Sequence, residues 1–192
     1  MSSKKDIYNS ILIVSDSDRF TAIVKKSLAG FITIDVRKDA STARRSVLEK
    51  DYDIVIIDSP LCDEAGPGLA IDVADRSGAC VMLVSPEGIC EDVMEEVTDY
   101  GVLVLPGPFP AGRMDKAIRY LISVRSRITA LQEKVTNAQD KLEELRIVSK
   151  AKILLVEKRH MTEDEAHRFI GKQAMNNGVS RRRIAQYILD EF

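Results

Sequence analysis

The chain has 192 residues, 45% of them hydrophobic, with 28 Lys and Arg against 30 Asp and Glu, for a net charge of −2. That is enough apolar material for one or two compact domains, and too balanced a charge for a polyelectrolyte, so any affinity for nucleic acid must come from local clustering. The three cysteines, Cys62, Cys80 and Cys90, are an odd number without metal-type spacing, and no apolar run approaches 20 residues. Both facts argue against a disulfide framework or a membrane span and for a cytoplasmic protein.

Short apolar runs alternate with amphipathic stretches from Ile7 to about Ile122. Strands are predicted at Ile11–Val14, Ile32–Val36, Ile54–Ile57, Val81–Val84 and Val102–Leu105, with helices over Asp18–Leu28, Ser41–Lys50, Leu69–Arg76 and Glu91–Thr98 between them. Continuously apolar strands separated by helices imply a doubly wound α/β fold, a five-stranded parallel sheet covered on both faces. Function in such sheets gathers at the carboxyl ends of the strands. Those ends carry Asp16, Asp58, Ser85 and Gly107-Pro108-Phe109.

This arrangement resembles the receiver domain of bacterial response regulators. The resemblance covers residues 7–122 and places Asp58 at the phosphoacceptor position, with Asp16 and Ser85 in the pocket around it. It implies a sensor histidine kinase or other regulatory protein as partner, and Mg²⁺ held by Asp16 and Asp58. Two positions depart from the pattern: the first acidic residue after strand one is Ser15, and the lysine after strand five is Gly107. Water can replace a missing Mg²⁺ ligand, but it supplies no fixed positive charge. The domain therefore reads either as a working phospho-receiver or as a pseudo-receiver kept as a platform for dimerisation or partner binding.

From Arg113 no Gly or Pro interrupts the chain until Gly171. Leu121, Val124, Ile128, Leu131, Val135, Ala138, Leu142 and Leu145 repeat at alternating steps of three and four, which is a coiled-coil seam with Leu121, Ile128, Val135 and Leu142 at position a. The seam predicts a homodimer, with a linker over residues 123–146; a hairpin folded back on the sheet domain is the alternative.

Residues 147–192 read as three helices forming a small domain. Thr162 followed by Glu165 is a capping box, Asn177-Gly178 is a helix stop, and Ser180 caps a last helix that opens with Arg181-Arg182-Arg183. Ala151-Lys152, Leu155, Ala166, Arg168, Ala174-Met175 and Ile184-Ala185 fall at the spacing of the ANTAR domain, and the segment resembles that RNA-binding module of transcription antitermination regulators. Ile153 and Val156 stand where the family commonly has Gly and Met. The resemblance implies a dimer that binds hairpin-containing leader RNA and permits terminator read-through.

Lys152, Arg168, Lys172 and Arg181, Arg182 and Arg183 are the candidate phosphate contacts in that domain. His167, and the face near Ala151, are candidates for contact with unpaired bases, Ala151 being small enough for either base approach or close helix packing. The rival is a DNA-binding regulator, since a helix, the Asn177-Gly178 turn and an arginine-led helix also make a helix-turn-helix. His160 and His167 lack partners in metal-ligand spacing, and no Ser-His-Asp set or phosphate-cradling glycine loop is present, so the chain does not read as an enzyme.

Overall fold

The computed structural model describes residues 10–28, 33–108 and 110–192. Ile7, Ile32 and Phe109, which figure in the readings above, lie outside the described residues. The chain divides into two compact units, one up to Thr129 and one from Ala130.

The first unit is a parallel sheet of β1 (Ser10–Val14), β2 (Thr33–Arg37), β3 (Ile54–Asp58), β4 (Cys80–Pro86) and β5 (Leu103–Gly107), in the order β2-β1-β3-β4-β5. Helices α1 (Asp18–Ser27), α2 (Ala40–Glu49), α3 (Pro67–Arg76) and α4 (Cys90–Val97) connect the strands. α5 (Ala111–Arg159) follows β5. The order reverses direction at β1/β3, which is the switch point where doubly wound sheets open a crevice.

Strand alternation sorts the core into two layers. Leu12, Val14, Val55, Ile57, Val81, Leu83 and Val104 pack beneath α2, α3 and α4 through Ala43, Leu69, Val73 and Val93. Ile11, Ile13, Ile54, Ile56, Met82 and Val84 pack on the other face against Val24 of α1 and Met114, Ile118 and Leu121 of α5. Local chemistry sets the helix starts. Ser17 and Asp39 cap α1 and α2, and Asp63 adds acceptors for the amides of Ala40 and Ser41 at 2.8 and 3.0 Å. Gly66, at φ 103°, turns the chain into Pro67 at the start of α3. The Gly66-Pro67-Gly68 segment is the turn its composition suggests.

Observed elements run one or two residues past the predicted ones at several ends. β4, for example, extends from Cys80 to Pro86. Helix and strand ends are the least determined by local pattern. The more consequential difference concerns α5. Leu121 is buried in the sheet unit's core and Val124 packs against it. Arg125 donates from Nη1 to the Gly78 carbonyl at 2.7 Å and from Nε and Nη2 to Asp53 Oδ1 at 3.2 and 3.1 Å. The first a and d positions of the heptad run therefore serve the sheet. Its uncovered part starts at Ile128 and runs through Leu131, Val135, Leu142 and Leu145, all exposed.

The second unit contains the later part of α5, then α6 (Glu163–Asn177) and α7 (Arg181–Glu191). Its core is Ala151, Leu155, Ala166, Ile170, Ala174, Ile184, Ala185 and Ile188. The Thr162–Glu165 capping box is complete, Gly178 closes α6 at φ 62°, and Ser180 caps α7 through the Arg183 amide. No helix among the described residues is long and apolar enough to cross a membrane.

Candidate functional site

In the first unit the strand ends build a cleft of about 460 Å³. Asp58 ends β3, Ser85 lies near the end of β4, and Gly107 ends β5. Arg19, Phe20 and Ile23 of α1 and Met114 of α5 complete the wall. The Ser15 hydroxyl donates to Asp58 Oδ2 at 2.7 Å and accepts the Ser17 amide at 3.0 Å. Serine at this position thus does something other than leave a gap where an acid is expected: it binds the carboxylate directly.

Burial pushes the Asp58 carboxyl above its ordinary range, the Ser15 hydrogen bond pulls it back, and the negative charge of Asp16 adds to the rise. No cation forms an ion pair with Asp58 among the described residues. Ser85 is fully buried, and its Oγ finds no hydrogen-bond partner among the described residues. A buried hydroxyl without a partner is costly, which marks this corner as built to receive a polar group. Gly107 is not merely a missing lysine, because a Cβ there would meet Val84 Cγ1 at 3.0 Å. The strand end has closed around the glycine.

The donor set bears on a cation. No group of three or more His, Cys, Asp or Glu side chains is arranged for a metal among the described residues. Asp16 and Asp58 nonetheless lie close enough for one charge to perturb the other. Mg²⁺ commonly binds through one or two carboxylates and keeps several waters, so the pair fits Mg²⁺.

The second unit distributes its expected contact residues unevenly. Ala151 is 0% exposed and lies in the core, so it is not a surface contact; its small side chain permits close helix packing. The Lys152 ammonium is held by Glu163 Oε1 at 2.6 Å, and that partner keeps the Glu163 carboxyl below its usual range. His167 lies near the same carboxylate, one turn along α6. It is rotated about 100° around the helix from Arg168. Arg168 and Lys172 share an exposed face instead and line one cleft with Arg159, His160, Glu165 and Phe169. Phe169 is partly buried and packs against the core of this unit. Arg181, Arg182 and Arg183 are exposed in the first turn of α7, and Arg183 Nε donates to the Tyr187 hydroxyl at 3.1 Å with its guanidinium 5.8 Å from the ring.

Arg159 and His160 line the same cleft and were not among the candidate contacts read from the sequence. The available signal was their place at the end of the apolar-periodic stretch, immediately before the Thr162 cap, where a helix end exposes side chains next to the following helix.

The ANTAR domain family matches residues 136–189. The transcriptional regulatory protein PdtaR of Mycobacterium tuberculosis is 30% identical over 139 residues, 72% of this chain and 67% of that protein. The chain belongs to the ANTAR-domain response regulators. Among solved structures, the signal receiver domain of an HD domain-containing protein from Pseudomonas fluorescens Pf-5 covers 68% of this chain and 97% of its own, with a TM-score of 0.58 at 16% identity. A CheY-like response regulator receiver domain from Methanospirillum hungatei JF-1 covers 62% of this chain and 98% of its own, with a TM-score of 0.56 at 14% identity. At such identities the likeness is one of fold. It identifies the sheet unit of this ANTAR-domain regulator as a receiver fold.

Proposed function

We propose that the protein is a transcription antitermination regulator that acts as a dimer, binding hairpin-containing leader RNA through its C-terminal unit so that polymerase reads through a terminator. The ANTAR match over residues 136–189, on a unit with exposed Arg168, Lys172 and Arg181–Arg183, carries this reading. The exposed seam from Ile128 to Leu145 supports the dimer, because a single chain leaves those residues in water. In a dimer the second RNA contact is intramolecular and gains from effective concentration.

Control is assigned to the Asp58 cleft, with Asp58 as phosphoacceptor and a sensor histidine kinase or other regulatory protein as donor. Asp16 and Asp58 would hold Mg²⁺, which supplies positive charge against the phosphoryl oxygens when bound. Ser85 offers its unpartnered hydroxyl to the same group, and Ser15 orients the carboxylate. No lysine side chain is available at Gly107 to link that group to β5, so signalling through β5 is weak in this reading.

Titration of the full chain against a looped RNA hairpin and a DNA duplex, at several salt concentrations, tests the function. Preference for the hairpin at matched salt is expected. Equal affinity for the duplex would favour a helix-turn-helix built from α6 and α7. For the cleft, acetyl phosphate with Mg²⁺ should modify the wild type and not Asp58→Asn. No modification by any donor would make the domain a pseudo-receiver.

A further inference from the structure

The open cleft where α5 ends and α6 begins, of about 480 Å³, gathers Arg159, His160, Glu165, Arg168, Phe169 and Lys172. Three permanent cations and an imidazole surround one carboxylate there. That carboxylate is already engaged: Glu165 Oε2 accepts the Thr162 amide at 2.8 Å and its hydroxyl at 2.9 Å, and these bonds hold the Glu165 carboxyl below its usual range. Those bonds tie Oε2 to the cap, and the three cations of the cleft outnumber its single carboxylate.

One wall is a preformed stacking layer. The Arg159 guanidinium sits 5.6 Å from the Phe169 ring and 5.5 Å from the Phe192 ring, and Nη2 is fixed by Glu191 Oε1 at 3.0 Å. The Glu191 ion pair and the two nearby rings hold the guanidinium in place beside Phe169, and unpaired bases stack on aromatic rings and guanidinium planes alike. His160 adds a second ring. It is the one non-glycine residue with positive φ among those described, at 53°, and this left-handed turn ends α5 at the cleft. Arg168 and Lys172, one turn apart on α6, supply charge on the solvent side. A stacking surface beside a cationic rim suits an unpaired, splayed-out nucleotide, whose base can stack while its phosphates meet the charge.

We propose that this cleft is a mononucleotide pocket: one unpaired base of the RNA loop stacks against the Arg159–Phe169 layer and His160, while Arg168 and Lys172 meet its flanking phosphates. The proposal rests on the RNA-binding reading and moves base recognition from His167 to His160.

Full-length protein is titrated with a loop-bearing RNA hairpin and with the same hairpin made abasic at each loop position in turn. Wild type is expected to lose roughly tenfold or more in affinity for one abasic position, the size of one stacked base. His160→Gly, which suits the left-handed backbone, should narrow that difference. Arg168→Gln with Lys172→Gln, both on an exposed face, should make the slope of log affinity against log salt shallower by about 1.4, at roughly 0.7 per single-strand phosphate. Wild-type binding with no sensitive loop position, or with a salt slope unmoved by the double substitution, would overturn the pocket and leave the RNA reading intact. Absence of hairpin binding by the wild type would overturn both. Competition by polyglutamate as strong as by the hairpin would assign the cleft to an acidic polypeptide and so also overturn it.

Discussion

The Ser15 hydroxyl donates to Asp58 Oδ2 at 2.7 Å across 43 residues of sequence, so a serine standing where the receiver pattern has an acid instead holds the expected acceptor. This bond partly offsets the burial that raises the Asp58 carboxyl, while Asp16 adds to the rise. A carboxyl with a raised folded-state pKa contributes stability below its unfolded pKa and loses that contribution as pH rises through the folded value. Asp58→Asn should therefore be more stable than wild type at neutral pH, with the advantage fading as pH falls towards the ordinary value of 3.8. Urea denaturation midpoints across that range measure it. An advantage that is constant with pH would mean the charge at Asp58 is not the cause.

Restoring the lysine of the receiver pattern should be costly. The Cβ of Gly107→Lys would lie 3.0 Å from Val84 Cγ1, so Val84 must give way. Overpacking of this kind costs about 1–3 kcal/mol. Adding Val84→Ala should recover part of that loss, and thermal melts of the single and double variants would show whether it does.

Leu131 and Leu142 are 47% and 59% exposed in one chain, so lysine at either position should leave the monomer's stability nearly unchanged. In a dimer the same charge is buried against the partner's seam without a counter-ion, at a cost of several kcal/mol. Light scattering of the double variant should find monomers at concentrations where wild type is dimeric. A monomeric wild type at tens of micromolar would remove the seam altogether.

Arg125 joins α5 to the sheet unit through Asp53 and the Gly78 carbonyl, with both side chains of the ion pair mostly shielded from water. Hydrogen bonds involving a charged group contribute about 1.5–3 kcal/mol. Arg125→Ala should lower the stability of the sheet unit by an amount of that order. A loss below about half a kcal/mol in denaturant titration would show that the apolar contacts of Met114, Ile118 and Leu121 hold the helix by themselves.

Lys152 has its charge directed at Glu163. Lys152→Met should therefore weaken RNA binding less than Arg168→Met does, and should return the Glu163 carboxyl towards its ordinary value of 4.5. NMR titration of Glu163 and paired RNA titrations would check both. Equal losses from the two substitutions would mean that RNA displaces Glu163 from Lys152.

The features legible before any tertiary contact forms are local or periodic. Five apolar runs became five parallel strands because an uninterrupted run of Ile, Leu and Val is stable only when both faces are covered. Thr162 with Glu165, Gly178 and Ser180 punctuated the last two helices because capping acts within one turn. Tertiary structure decided which surface each apolar stripe met. Periodicity marks a face as buried without naming its cover, so Leu121 and Val124 read as coiled coil and joined the sheet, while Ala151, small enough for base approach or close helix packing, joined the core. It also decided which charges are tied by ion pairs among the described residues. Glu163 took Lys152, Glu191 took Arg159, and Arg168 and Lys172 were left facing a cleft with His160. Those pairings join residues 11 and 32 apart in sequence. Such distances close only after the helices have packed, which is why no spacing rule along the chain could have announced them.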